Sequence, residues 1–103
     1  EEHSADIRAR VLAARKRQYA RQGADVCNAA IPPQQLAEHC PLSADASRMF
    51  AAAFQRLGLT ARAHDRVLRV ARTIADLADS SVIEAEHLAE ALQYRSLDRA
   101  AGS

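Results

Sequence analysis

Residues 59–77, Leu59-Thr60-Ala61-Arg62-Ala63-His64-Asp65-Arg66-Val67-Leu68-Arg69-Val70-Ala71-Arg72-Thr73-Ile74-Ala75-Asp76-Leu77, decide how this chain is read. Wound as a helix at ~100° per residue, they separate into two faces. Ala63, Val67, Val70, Ala71, Ile74, Ala75 and Leu77, with Ala78 beyond, gather on one broad side. Arg62, Arg66, Arg69 and Thr73 fall in a single stripe on the other, because helical steps of three and four residues return to nearly the same angle. Arg72, Asp65 and Asp76 edge that stripe. Thr60, just after Gly58, supplies an N-cap oxygen, so the arginine row begins in the first turn. The macrodipole there is positive and favours acids, so an arginine at that point is a first pointer to a bound anion such as phosphate. The competing reading is an ordinary solvated face.

Composition narrows the field. The 103 residues suit a single domain with its own core. Three glycines, three prolines and an alanine-rich body predict helices, with no run of alternating strand pattern. No apolar run is long enough to cross a membrane, and no signal-peptide pattern opens the chain. Its start at Glu1-Glu2, without an initiator Met, reads as a piece of a longer protein, and Ala101-Gly102-Ser103 as a natural or appended tail. Two cysteines, Cys27 and Cys40, are too few for a disulfide scaffold and fit a reducing cytoplasm.

Net charge is only +1, yet it is unevenly spread. From Ile7 to Gly23 lie six basic residues and no acid; from Thr73 to Glu90 lie five acids and no Lys or Arg. The basic end can meet phosphates or an acidic neighbour, the acidic end repels nucleic acid, and internal pairing of the two ends accounts for part of the pattern.

Five helices are expected. The first runs from Ser4, its cap, to Gln22, with Gly23 as the stop. A loop over residues 24–32 ends at Ile31-Pro32-Pro33, where proline disfavours helix in the residue before it. A short helix spans Gln34 to His39, and Ser43 caps a third that runs to Leu57 and stops at Gly58. The arginine helix follows. Asp79-Ser80-Ser81 breaks it, Val82-Ile83 is a short extended apolar pair, and Glu84 to Tyr94 forms the last helix. The expected core holds Val67, Val70, Ala71, Ile74, Leu77, Leu88 and Leu92, with Met49, Phe50, Phe54 and Leu57 of the third helix. In the first helix Ile7, Val11 and Ala14 form one row, Leu12 and Tyr19 another, a pattern that suits contact on two sides.

Catalytic or metal chemistry finds little support in the residues themselves. His39, Cys40 and Cys27 lack paired Cys-x-x-Cys spacing. His64 and His87 are lone histidines near apolar faces, better read as packing. Ser43, Ser47, Ser80 and Ser81 have no His or Asp partner at a recognisable spacing, and no Gly-x-x-x-x-Gly-Lys-Ser/Thr phosphate loop is present.

Gly58-Leu59-Thr60-Ala61-Arg62-Ala63, followed by Arg66-Val67-Leu68-Arg69-Val70-Ala71-Arg72-Thr73-Ile74-Ala75-Asp76-Leu77, closely resembles the C-terminal signature of Mg-chelatase-like ATPases of the ComM (YifB) type. The likeness continues on both sides. Residues Ile7 to Arg15, with Gln18 and Arg21, resemble the helix that leads into that family's domain. His87 to Arg95, with Asp98 and Arg99, resemble the helix that closes it. Only residues 24–42 fall outside the likeness.

The resemblance implies an all-α bundle of four to five helices, the lid subdomain of a AAA+ ATPase, occupying residues 1–103. In that superfamily a lid arginine called sensor 2 lies near a helix start and serves the γ-phosphate; by its place in Thr60-x-Arg62, Arg62 is the matching residue. A guanidinium is permanently charged and forks onto phosphate oxygens, which agrees with the first-turn position. Arg66 and Arg69 follow as further nucleotide or subunit-interface residues, and Arg72 pairs either with Asp76 or with acids of the last helix. The resemblance further implies ATP and Mg²⁺ in the longer protein and neither in the fragment alone. Its partners would be the AAA+ core and neighbouring subunits of a hexamer, with DNA remodelling or branch migration as the parent's work. Arg62 then serves its own subunit or a neighbour. The rival readings are a stand-alone helical module that binds nucleic acid through its first helix, losing affinity steeply with salt, and a purely structural interaction domain. Two Tyr and two Phe make a poor base-stacking surface.

Overall fold

Two helix ends meet at Gly58-Leu59-Thr60. Gly58 closes one helix in the left-handed region, at φ 61°, where a side chain would be strained. Leu59 is buried, and the Thr60 hydroxyl accepts a hydrogen bond from the Ala63 N–H at 3.1 Å to start the next helix. This computed structural model describes residues 4–23 and 26–102, the stretch 95–102 by its backbone alone. The Glu1-Glu2 opening, Ala24 and Asp25, Ser103 and the side chains of Arg95, Asp98 and Arg99 lie outside the described residues.

Among those residues the elements are α1 (Ser4–Gln22), α2 (Leu36–His39), α3 (Ala44–Leu57), α4 (Ala61–Leu77) and α5 (Ala85–Gly102), with single 3-10 turns at Asn28–Ala30 and Pro33–Gln35. The all-α bundle expected from the sequence is the fold observed. Ser43 caps α3 by accepting from the Ala46 N–H at 3.1 Å. Gly23 ends α1 at φ 104°, its N–H donating to the Tyr19 carbonyl at 2.8 Å. The expected short helix from Gln34 divides into the 3-10 turn and the single turn of α2, because Pro33 opens the tighter turn. The last helix starts at Ala85 and continues past the expected stop at Tyr94 to Gly102. No Pro or Gly interrupts residues 95–101, so nothing in the sequence opposes propagation.

Helix α4 is the centre of the packing. It contacts α5, α1, α2 and the Asn28–Ala30 turn, while α3 packs on α5. The core joins Ile31, Leu36, Phe50, Leu59, Val67, Leu68, Ala71, Ala75, Ile83, Leu88 and Ala91. A single parallel bridge, Leu42 with Ile83, ties the turn before α3 to the turn before α5. Ser43 N–H donates to the Ile83 carbonyl at 3.0 Å and Ile83 N–H to the Pro41 carbonyl at 2.8 Å, which explains the extended Val82-Ile83 pair.

The inward face of α4 differs from the one hydropathy alone selects. Val67, Ala71 and Leu88 are buried as expected, but Val70, Ile74, Leu77 and Leu92 are only half-buried and Ala78 is exposed. The buried positions of α4 are Val67, Leu68, Ala71, Arg72, Ala75 and Asp76, so the buried side is turned by about one residue's rotation, ~100°, from the apolar stripe. Two charged residues lie on that side, and apolar patterning cannot find them. In α3, Phe50 is buried and Met49 half-buried, but Phe54 and Leu57 are exposed. In α1 only Ala14 and Gln18 are buried; Ile7, Val11, Leu12 and Tyr19 are exposed, so within this chain the helix is gripped on one side.

Candidate functional site

The arginine row of α4 divides into distinct environments. Arg62 stands exposed in the first turn, which contains no acid, and it has no hydrogen bond or ion pair among the described residues. Arg66, one turn on, is also exposed. Arg69 turns back across the domain: its Nε and Nη2 donate to the Ile31 carbonyl at 3.2 and 2.9 Å. These two hydrogen bonds, from one edge of the guanidinium, hold the 28–31 segment on α4. Thr73, the last residue of the stripe, accepts from Asn28 Nδ2 at 3.0 Å and donates to the Arg69 carbonyl. The sequence placed Arg62, Arg66 and Arg69 on one stripe; the structure brings the first two to the surface and fastens the third to the protein.

Arg72 and Asp76, expected at the rim of the stripe, are fully buried. Arg72 Nη2 pairs with Asp76 Oδ1 at 3.0 Å, the four-residue partner rather than an acid of the last helix. Its remaining donors reach the Ser80 carbonyl at 2.6 Å and the Ser81 carbonyl at 3.1 Å, while Nε is buried without a hydrogen-bond partner. Burial pulls the Arg72 pKa down, and the adjacent Asp76 carboxylate pushes it back up. Arginine starts so far above neutrality that the side chain keeps its charge.

Asp76 receives more than Arg72. Arg21 of α1 donates to both of its oxygens at 3.0 Å, and Asn28 Nδ2 donates to Oδ2 at 2.9 Å. Gln18 Oε1 accepts from the Asn28 N–H, and Arg21 Nη2 also donates to Asn28 Oδ1, so Arg21, Arg72 and Asp76 each touch an opposite charge, with Arg72 Nε a buried donor left open. Arg17 completes the grip: Nη1 donates to the Asp76 carbonyl at 2.8 Å and Nε pairs with Asp79 at 3.0 Å. Asp79 is the left-handed residue that ends α4, at φ 59°. A cation there satisfies a terminal carbonyl and offsets an acid that the helix dipole disfavours. Two of the six basic residues of α1, Arg17 and Arg21, are thus turned inward.

Apart from the Arg72–Asp76 pair, this cluster escaped the sequence reading, though one signal was present. An aspartate in the last turn of a helix opposes the macrodipole, so Asp76 asks for cations, and Arg17 and Arg21 are spaced one turn apart on α1.

His64, His87 and Cys40 take packing positions. His64 stacks on Phe50 with ring centroids 4.5 Å apart and meets Phe54 edge-on, while Nδ1 lies 3.2 Å from Asp65. These side chains, with Leu42, Ser47, Ala51 and Gln55, line a shallow apolar hollow on α3 and α4. His87 is buried, and its Nδ1 accepts from the Glu84 N–H at 3.0 Å at the start of α5. Cys40 is buried and Cys27 half-buried, both free thiols. Among the described residues no three His, Cys, Asp or Glu side chains stand together as a cation site, and no helix is long and apolar enough to cross a membrane.

Residues 1–95 match the family model described as magnesium chelatase, subunit ChlI C-terminal. The uncharacterized protein YifB of Escherichia coli K12 is 41% identical over 98 residues, covering 95% of this chain and 19% of the relative. Its counterpart in Salmonella typhimurium LT2 is 42% identical over the same shares. Competence protein ComM of Haemophilus influenzae Rd is 40% identical over 98 residues, again 95% of this chain and 19% of its own length. The chain therefore spans about a fifth of the length of these curated relatives. No solved structure matches it.

Proposed function

The chain belongs to the magnesium chelatase C-terminal domain family in its ComM- and YifB-type branch, and from that premise we propose that it is the helical lid of a larger AAA+ ATPase. In this reading Arg62 is the sensor that answers to the γ-phosphate of ATP. Arg66 lies near the same nucleotide or at a subunit boundary. The exposed side of α1 faces other parts of a hexameric motor that acts on DNA in the cytoplasm.

The observation that carries the reading is the fate of the arginines along one helix. Arg69 and Arg72 are fastened inside the domain, whereas Arg62 is an exposed cation on a capped, acid-free helix start with no partner among the described residues. Helix starts and guanidinium groups both favour phosphate, the first through unpaired N–H groups and the second through its planar fork. Such a charge stabilises the negative charge that develops on a transferring phosphoryl group. Arg69 takes a supporting part here: it fixes the 28–31 segment and leaves the phosphate to residues nearer the helix start. With no cation cluster among the described residues, Mg²⁺ is held in this reading by the nucleotide-binding core outside this chain. ATP turnover by the full-length protein carrying Arg62→Ala tests the assignment.

A further inference from the structure

The charge asymmetry of the sequence is only partly resolved within the domain. Arg17 and Arg21 turn inward to Asp79 and Asp76. Arg8, Arg15 and Lys16 remain exposed on α1, and Glu86 and Glu90 remain exposed on α5, none with an ion pair among the described residues. Arg8, Leu12, Arg15 and Tyr19 follow one another at steps of four, three and four, so they form one outward stripe. Leu12 is 57% exposed, a large apolar side chain set between two cations. On α5, Glu86, Glu90 and Gln93 follow at four and three, with Tyr94 exposed at their edge. Glu86 and Glu90 are like charges at the four-residue spacing, which weakens a helix unless cations lie against it.

The two stripes have opposite sign, and Arg8 to Arg15 and Glu86 to Gln93 each advance seven residues, about 10 Å at 1.5 Å per residue. Both helices pack on α4 without an extensive contact with each other. We infer that the outward stripe of α1 docks on the Glu86–Glu90 face of α5 in a second copy of the chain. Each copy then offers one surface of each sign, so the contact is head-to-tail and closes into a ring or extends as a filament. Duplex DNA is the competing occupant of α1, but a phosphate backbone gains nothing from Leu12 and gives Glu86 and Glu90 no role. Two helix faces of this length bury less than the ~1,200 Å² typical of a stable complex. The contact therefore orients copies that the rest of the protein also holds together. The inference rests on the proposed multi-subunit motor and names one of its seams.

The test uses the full-length protein in three charge-reversed forms: Arg8→Glu with Arg15→Glu, Glu86→Arg with Glu90→Arg, and all four together. Assembly is measured by sedimentation velocity with nucleotide at low and high salt, with circular dichroism as the check on folding. Each double variant should lose at least about tenfold of the assembled fraction at low salt. The quadruple variant, and an equal mixture of the two doubles, should regain it, since both restore opposite signs across the seam. Doubles that assemble like the parent, or folded doubles that neither combination rescues, overturn the inference while leaving the motor reading intact. Unchanged assembly with lost duplex binding in the α1 double assigns the stripe to DNA and also overturns it. A parent that hydrolyses no ATP yet shows the full charge-swap pattern overturns the motor and leaves the seam standing.

Discussion

Arg21 grips Asp76 through two parallel hydrogen bonds, Nη1 to Oδ1 and Nη2 to Oδ2, each 3.0 Å long and joining residues 55 positions apart. With Arg72 on the other side of Asp76, this pair fastens α1 to the body of the domain where apolar contact is slight: Ala14 is the only buried apolar residue of that helix. Bidentate arginine–carboxylate geometry supplies direction as well as attraction, which is what a helix with so little core contact requires.

Removing the carboxylate should therefore be severe. Asp76→Ala leaves Arg72 buried beside Arg21 without its counter-charge, and loss of one member of a buried pair costs about 3–5 kcal/mol. Urea unfolding of the domain should show this. Hydrogen exchange should show α1 released before α3, α4 and α5. A variant within a few tenths of a kcal/mol of the parent would mean that the cluster is not the anchor of α1.

Packing variants should follow the observed inward face, not the apolar stripe. Leu88→Ala, at a fully buried position, should cost about 2–5 kcal/mol. Ile74→Ala, half-buried on α4, should cost clearly less. Equal losses in denaturant titrations would place Ile74 in the centre and contradict the rotation of α4.

The two thiols should differ in reactivity. Burial raises the Cys40 pKa from 9.0 to about 11, against the opposing pull of Arg72 and Arg21, so the folded thiol stays protonated at neutral pH. The thiolate is the reactive form, so alkylation at mildly alkaline pH should label half-buried Cys27 first and Cys40 only on unfolding. Because the unfolded thiol ionises at the lower pH, Cys40 contributes stability below pH 9 that is lost as pH rises towards 11. A Cys40→Ser variant whose alkaline stability profile matches the parent would contradict this.

Much of the architecture was legible in sequence because caps and stops are local: Gly23, Ser43, Gly58 and Thr60 each act through their own backbone or the next turn. The position of Arg62 was legible for the same reason. The inward face of α4 was not, since Arg72 and Asp76 are buried only because Arg21, Asn28 and the Ser80–Ser81 carbonyls arrive from distant parts of the chain. Hydropathy scores such residues as surface. Arg69 shows the same limit: its stripe position is a property of the helix, but its contact with Ile31 is a property of the fold.

The purified domain should bind duplex DNA weakly and with strong salt dependence. Arg17 and Arg21 are engaged internally, which leaves few cations for phosphates. Tight binding at physiological salt, measured by fluorescence anisotropy and abolished by reversing Arg15 and Lys16, would favour a nucleic-acid module instead.

The most direct test of the sensor reading is the steady-state ATP turnover of the full-length protein with Arg62→Ala at saturating nucleotide. An exposed first-turn side chain contributes little to the core, so the unfolding midpoint should match the parent. Turnover should fall by ~10–1000-fold, roughly 1.4–4 kcal/mol of transition-state stabilisation. Arg62→Lys should recover only part of it, because an ammonium lacks the fork. Arg69→Ala is not a neutral comparison, since it releases the Ile31 carbonyl and should lower stability. A folded Arg62→Ala protein that hydrolyses ATP at the parental rate would contradict the reading and leave the first arginine of α4 as a solvated surface residue.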